Sequence, residues 1–167
     1  GRPAVCTLAR LGTPRKYIFG RAMLHSGNLD VSFAGLKTVV LTQARRTTAH
    51  TPNGELSEQD KADIALAFVD AAVDVLSKKA LQALKQTGFT RIVVAGGVGA
   101  NVQLRSRLDA LAAQHGFSVH YPELHLCTDN GAMIAFAGSL AIQKNPELLQ
   151  HHDTFTVLPR CPLRNTI

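Results

Sequence analysis

Cysteine is scarce in this chain. The three present, Cys6, Cys127 and Cys161, are odd in number and scattered, with no C-x-x-C spacing. That excludes a disulfide framework and favours a reducing, cytoplasmic compartment. Long hydrophobic runs are also missing. The most apolar stretch, 132–142, is shorter than the about 20 residues needed to cross a bilayer, and no secretory signal pattern is present. The H-E-x-x-H helix of zinc proteases is absent, as are the Walker phosphate loop and the G-x-G-x-x-G dinucleotide fingerprint. There is no initiator methionine, and Gly1-Arg2-Pro3 reads as the middle of something longer. A fragment is therefore expected.

What is there suits a packed α/β protein. The 167 residues fit one domain or one lobe, and 46% hydrophobic with 18% charged residues is the composition of a chain with a core. The formal net charge of +6 favours a polyanionic partner, although charge alone does not name one. The stretch that organises the rest runs from Arg91 to Arg107. Ile92, Val93, Val94 and Ala95 read as a buried strand, Gly96, Gly97 and Gly99 as a turn, and the residues from Asn101 onward as a helix. Glycine lets backbone approach an anion, and a helix N-terminus offers free N–H groups. A second unit follows, with a strand over 117–121, a loop over 122–128 and an apolar helix opened by Asp129. A helical crossover makes the two strands parallel, and ligands of such sheets bind at the carboxyl ends of the strands. The two loops are expected to face one cleft.

The flanking segments supply scaffold. A short helix is predicted over 4–12 on Val5, Leu8 and Leu11, stopped by Gly12. Residues 13–30 are irregular and basic (Arg15, Lys16, Arg21), with a short strand at Tyr17–Phe19. This segment reads as a solvated loop or an RNA phosphate contact. Residues 31–35 read as an edge strand or turn leading into a helix on Leu36, Val39, Val40 and Gln43. Pro52 and Asn53-Gly54 mark a surface turn. The longest helix is predicted over 58–87, with Ser57 as N-cap and Gly88 as C′ residue. Its single apolar face of Ile64, Phe68, Ala71, Ala72, Val75, Leu76 and Leu84 is expected to cover the sheet. Arg105 and Arg107 read as a solvated helix face. The helix 129–144 is apolar nearly all round and is expected to be buried on more than one side. In the tail, Phe155, Val157 and Leu158 read as an edge strand, and His151-His152 as exposed and inert.

Two rim residues carry the candidate chemistry. Asn101 can donate and accept, which suits a ribose hydroxyl or an amide. Asp129 can ligate a metal or cap its own helix, and Thr128 or Asn130 could cap in its place. His120 and His125 flank the second loop, but nothing in their spacing fixes a metal geometry.

Three blocks go further than spacing does. VSFAGLKT (31–38), VVAGGVGANVQLRSRL (93–108) and CTDNGAMIAFAG (127–138) closely resemble, in the same order, the tRNA N6-adenosine threonylcarbamoyltransferase family, TsaD, formerly labelled O-sialoglycoprotein endopeptidase or glycoprotease. The resemblance implies the C-terminal lobe of a two-lobed actin/Hsp70/sugar-kinase-like (ribonuclease H-like) α/β fold, a mixed sheet flanked by helices, here spanning 1–167. It implies transfer of threonylcarbamoyl from threonylcarbamoyl-AMP to N6 of the adenosine 3′ of the anticodon in tRNA. It implies a divalent metal, Fe(II) or Zn, held by two histidines of an H-x-x-x-H motif and by the aspartate matching Asp129. It also implies an adenylate seat formed by Gly96, Gly97 and Asn101, and, as partners, a paralogous subunit and a small ATPase.

No two of the seven histidines here lie four apart, so this chain is expected to hold half a site. It departs from the family pattern at Gly99 and Ala34, where serines are usual, and at Arg2, where a glycine is usual. Arg2 puts one backbone contact to the ribose in doubt. The competing readings are a non-catalytic nucleotide-binding module of the same fold and the old metalloprotease label, which the missing H-E-x-x-H motif disfavours.

Overall fold

The computed structural model describes residues 2–51 and 53–150. The expectations for the tail, including Phe155 and His151-His152, lie outside them, as does Cys161. The elements in order are helices α1 (Arg2–Ala9), α2 (Ala34–Thr48) and α3 (Glu58–Thr87), strand β1 (Arg91–Val93), helix α4 (Val102–His115), strand β2 (Ser118–His120) and helix α5 (Gly131–Lys144). Short 3-10 turns cover Gly97–Ala100, Leu124–Leu126 and Pro146–Gln150.

α3 is the axis. Its ends follow the sequence signals: Ser57 Oγ accepts the Asp60 N–H, and Gly88 closes the helix at φ 72°, a left-handed conformation that favours glycine. Burial along α3 is not confined to the expected single face. Ile64, Ala67 and Ala71 pack with Phe19 and Leu36 on one side, while Ala65 and Val69 pack with Ala9 of α1 on another. α1, α2, α4 and β1 all touch α3, so it is covered from several directions rather than lying flat on a sheet. Gly12 lets the chain leave α1 directly against α3: a Cβ there would sit 2.6 Å from the Ala62 carbonyl oxygen and 2.7 Å from Leu66 Cβ. α1 itself stops at Ala9, and Leu11, expected on its apolar stripe, is exposed.

The segment between α1 and α2 has no strand. Among the described residues Tyr17–Phe19 has no sheet neighbour, and Tyr17 and Phe19 are held to helices by side chains. Phe19 is buried against α3, and Tyr17 Oη lies 3.4 Å from Thr47 Oγ1. Arg21, expected in a solvated basic loop, bonds Asp74 through Nε at 3.1 Å and donates to the Phe19 carbonyl. Buried Lys79 donates to Ser26 Oγ and the Asn28 carbonyl. The stretch before α2 is likewise not a strand, with Phe33 serving as its N-cap residue.

β1 and β2 pair in parallel, Ile92 opposite Val119, as the crossover argument requires. The pair is thinly covered, however. Val93, expected to be buried, is 72% exposed: among the described residues the strand has one sheet neighbour and little helix contact. α5 departs further from expectation. None of its residues is buried, and Met133, Ile134, Phe136 and Leu140 lie open. Among the described elements it packs chiefly on the 146–150 turn. No helix among the described residues is long and apolar enough to cross a membrane.

Asp63 joins the axis to the turn after α1. Its carboxylate is buried and accepts the Thr13 N–H at 2.7 Å and the Gln59 amide at 2.7 Å. Burial pushes this carboxyl up, but those hydrogen bonds, with Lys16 nearby, outweigh it and hold the group below the ordinary carboxylate value. A depressed folded-state value stabilises the fold above the unfolded value of about 3.9, and that contribution fades as pH falls through the folded value. Asp63→Asn is expected to cost about 1 kcal/mol at pH 7, with the gap to the parent narrowing below about pH 4. Urea unfolding at both pH values checks this, and a constant gap would contradict the assignment.

Candidate functional site

The rim forms at the carboxyl ends of the two strands. After β1 the chain turns at Gly96, φ 81°, where a side chain would be strained, and makes one 3-10 turn over Gly97–Ala100. Gly99 is buried, and a Cβ there would meet the Val94 carbonyl oxygen at 3.1 Å, so a larger residue would have to press on the strand end. Asn101 then caps α4: its Oδ1 accepts the Leu104 N–H at 2.9 Å. Its amide points back to α1 and donates to Cys6 Sγ at 3.3 Å. One donor of the helix start is therefore already taken by Asn101 itself.

After β2 the chain makes a 3-10 turn over Leu124–Leu126 and passes through buried Cys127. Asp129 does not open the helix as expected. α5 starts at Gly131, and Asn130 is its N-cap, accepting the Met133 N–H at 3.0 Å. Asp129 is thereby left exposed, and its carboxylate has no hydrogen bond or ion pair among the described residues. Of the histidines near this loop, His125 Nδ1 lies 3.4 Å from Glu123, while His120 Nε2 lies 3.4 Å from Ser118 Oγ. No group of three His, Cys, Asp or Glu residues among those described could hold a metal.

The two loops are joined by a residue expected to face solvent. Arg105 donates through Nε to the Gly99 carbonyl at 2.6 Å and through Nη2 to the Pro122 carbonyl at 3.1 Å. The same nitrogen lies 3.3 Å from Cys127 Sγ. The Tyr121 ring covers the guanidinium with its centroid 4.5 Å from Cζ. Tyr121 Oη donates to Asp109 at 2.9 Å and reaches the Arg105 carbonyl at 3.2 Å. Burial, followed by the Asp109 hydrogen bond and charge, pushes the Tyr121 phenol up to about 12 against the opposing Arg105 charge, so it stays a neutral donor. A signal for Arg105 was available. It follows Asn101 by four residues, one helical turn, and so shares the rim face.

A separate groove of about 750 Å³ opens between residues 15–21, α3 and α4, with Arg15, Arg21, Asp70, Asp74, Gln103 and Arg107 in its wall. Asp74 already offsets much of its positive charge, lying 3.1 Å from Arg21, 3.8 Å from Lys78 and 3.9 Å from Arg107.

A family model described as TsaD, tRNA N6-adenosine threonylcarbamoyltransferase, matches residues 1–136. Proteins named tRNA N6-adenosine threonylcarbamoyltransferase from Burkholderia ambifaria and Burkholderia cenocepacia are 58% identical to this chain over 163 residues. One of the same name from Burkholderia multivorans is 56% identical over 163 residues. Each alignment covers 98% of this chain and 47% of the relative. A parallel-stranded α/β unit with a glycine loop and a C-T-D-N-G loop on one rim thus has its class: the chain belongs to the TsaD family. It spans about half the length of the curated relatives it matches.

The cap separates two roles that Asn101 could fill. Asn101→Ala is expected to cost about 1 kcal/mol of stability through the lost cap, and Asn101→Asp, an equally good cap, only a few tenths. Thermal unfolding of both variants measures this, and equal losses would show that the cap contributes nothing.

Proposed function

We propose that this chain is the C-terminal lobe of a tRNA N6-adenosine threonylcarbamoyltransferase with an actin/Hsp70-like, ribonuclease H-like fold, working on tRNA in the cytoplasm. The observation that carries the reading is the placement of the Gly96–Asn101 turn and the Cys127–Asp129 loop on one strand-end rim, in a chain 58% identical to proteins of that name. The reaction joins N6 of a tRNA adenosine to the carbamoyl carbon of threonylcarbamoyl-AMP, breaks the bond from that carbon to the phosphate oxygen, and releases AMP and the amine proton. In this reading the Gly96–Gly97 backbone and the Asn101 amide seat the adenylate, so this lobe contributes mainly orientation.

The family implies a divalent metal, and the residues present fit one corner of its site. Asp129 is an exposed carboxylate without a hydrogen bond or ion pair among the described residues, a hard oxygen donor for a cation. Two histidines from the part of the protein outside this chain would complete the ligands, with Fe(II) or Zn as the candidate ions. When bound, the metal supplies Lewis-acid polarisation of the carbamoyl and phosphate oxygens. The open apolar face of α5 suits a helix that packs against that other part. The net charge of +6 suits tRNA as acceptor. A paralogous subunit and a small ATPase are the protein partners this reading carries.

Asp129→Ala in the full-length protein is expected to abolish retention of the metal, measured by elemental analysis after gel filtration, together with transfer to tRNA. Thermal stability should change by less than about 0.5 kcal/mol, because the side chain makes no hydrogen bond or ion pair among the described residues. Full transfer activity in that variant would remove the ligand assignment.

A further inference from the structure

The rim presents a mechanical problem. Its two loops leave two short, thinly covered strands, and a three-residue parallel pair does not fix loops that extend several residues beyond it. No backbone hydrogen bond joins the Gly96–Asn101 turn to the Pro122–Asn130 loop among the described residues. The last bond between the two strand ends is from Val94 N to the His120 carbonyl at 2.9 Å. Beyond that point the connection is made by a side chain.

We infer that Arg105 is the positioning residue of the rim, a strut that sets the separation between the adenylate-seating turn and the loop carrying Asp129. The guanidinium is planar and presents donors in a fixed fork, so bonding one loop through Nε constrains where Nη2 meets the other. Here Nε takes the Gly99 carbonyl, and Nη2 takes the Pro122 carbonyl and faces Cys127 Sγ, two residues before Asp129. The fork is itself held. Tyr121 covers it at 4.5 Å from the ring centroid, and the Tyr121 hydroxyl is tied to Asp109 and to the Arg105 carbonyl. Arg105 also rises from α4 one turn after the Asn101 cap, so the strut, the cap and both loops share one rigid base. Arg105 touches no reacting group; it acts through the loops it joins.

The role of Arg105 in substrate binding rests on the proposed transferase reading, whereas its role as a strut rests on the geometry alone. The two are tested separately on the 167-residue chain with Arg105→Lys and Arg105→Met. A lysine keeps the charge but has one nitrogen on a flexible stem and cannot hold both carbonyls in fixed relation.

Amide hydrogen exchange is expected to rise about tenfold or more in both 97–101 and 123–130 in each variant, with α3 unchanged. A rise in one loop only, or a rise spread through α3, would overturn the strut. Calorimetric titration with a non-hydrolysable threonylcarbamoyl-adenylate analogue forms the second arm. A Kd about tenfold weaker in Arg105→Lys at unchanged stoichiometry supports positioning, whereas reduced stoichiometry at unchanged Kd marks partial unfolding and overturns it. A parent chain that fails to bind the analogue while both loops loosen together in the variants counts against a preformed adenylate seat in this chain and upholds the strut.

Discussion

Small side chains along one long helix set how α1, α2 and the segment between them pack. Ala62, Ala65, Ala67 and Ala71 are all buried on α3, and they let α1, α2 and the irregular 13–33 segment approach its backbone on different sides. Each alanine contributes little transfer energy of its own. What they permit is closeness, which allows Phe19, Leu36, Val69 and Ala9 to fill the remaining space. The polar groups at this axis are satisfied within it. Asp63 caps the approach of the turn after α1, and Lys79 holds the Ser26–Asn28 turn. An irregular segment that long, without a sheet, is ordered because α3 offers both apolar pockets and hydrogen-bond partners along its length.

The rim stands on this axis at one remove. α4 packs on α3, buries Leu104 and Leu108, and carries the Asn101 cap at its start. The strands add direction rather than rigidity: their parallel pairing aims both following loops to the same side. Side chains then fix what the strands do not. Asn101 links the turn to α1 through Cys6, and Arg105 links it to the second loop, so two polar residues one turn apart on α4 govern the alignment of the rim. Asp129, by contrast, is presented rather than held. Asn130 takes over the capping work beside it and leaves the Asp129 carboxylate exposed.

Much of this was legible where local chemistry decides the outcome. Ser57, Gly88, Asn101 and Gly116 mark helix ends at the positions their residue types favour, and the crossover between the two strands made them parallel. The sequence misled where the outcome depends on what lies beside an element. Tyr17–Phe19 has strand-forming residues but no strand paired with it among the described residues. Val93 has a buried strand's side chain in a sheet covered too thinly to bury it. Arg105 looked like a surface charge because periodicity assigns it to a polar helix face, and only the folded loops show that this face looks onto two carbonyls and a thiol. Spacing alone left Asp129 divided between capping and ligation; Asn130 takes the cap, and the ligand role is a proposal that rests on the motif blocks.

The apolar face of α5 and the Asp129 carboxylate are both exposed and lie next to each other in the chain. A 14-residue helix with Met133, Ile134, Phe136 and Leu140 open to water carries an unfavourable surface unless something covers it, and a lone aspartate offers a metal too few donors to bind it tightly. α5 follows Asp129 by two residues, so whatever surface covers the helix also comes close to the carboxylate. In the proposed reading, covering the apolar face and completing the donor set around Asp129 would be one event, and burial of α5 would supply free energy that the proposed metal site alone could not. In that proposed reading, Asp129 at the end of the second loop would report the closure of the protein around it. The strut at Arg105 would, in the same proposed reading, pass that closure to the Gly96–Asn101 turn, because a guanidinium bonded to both loops cannot follow one without drawing on the other.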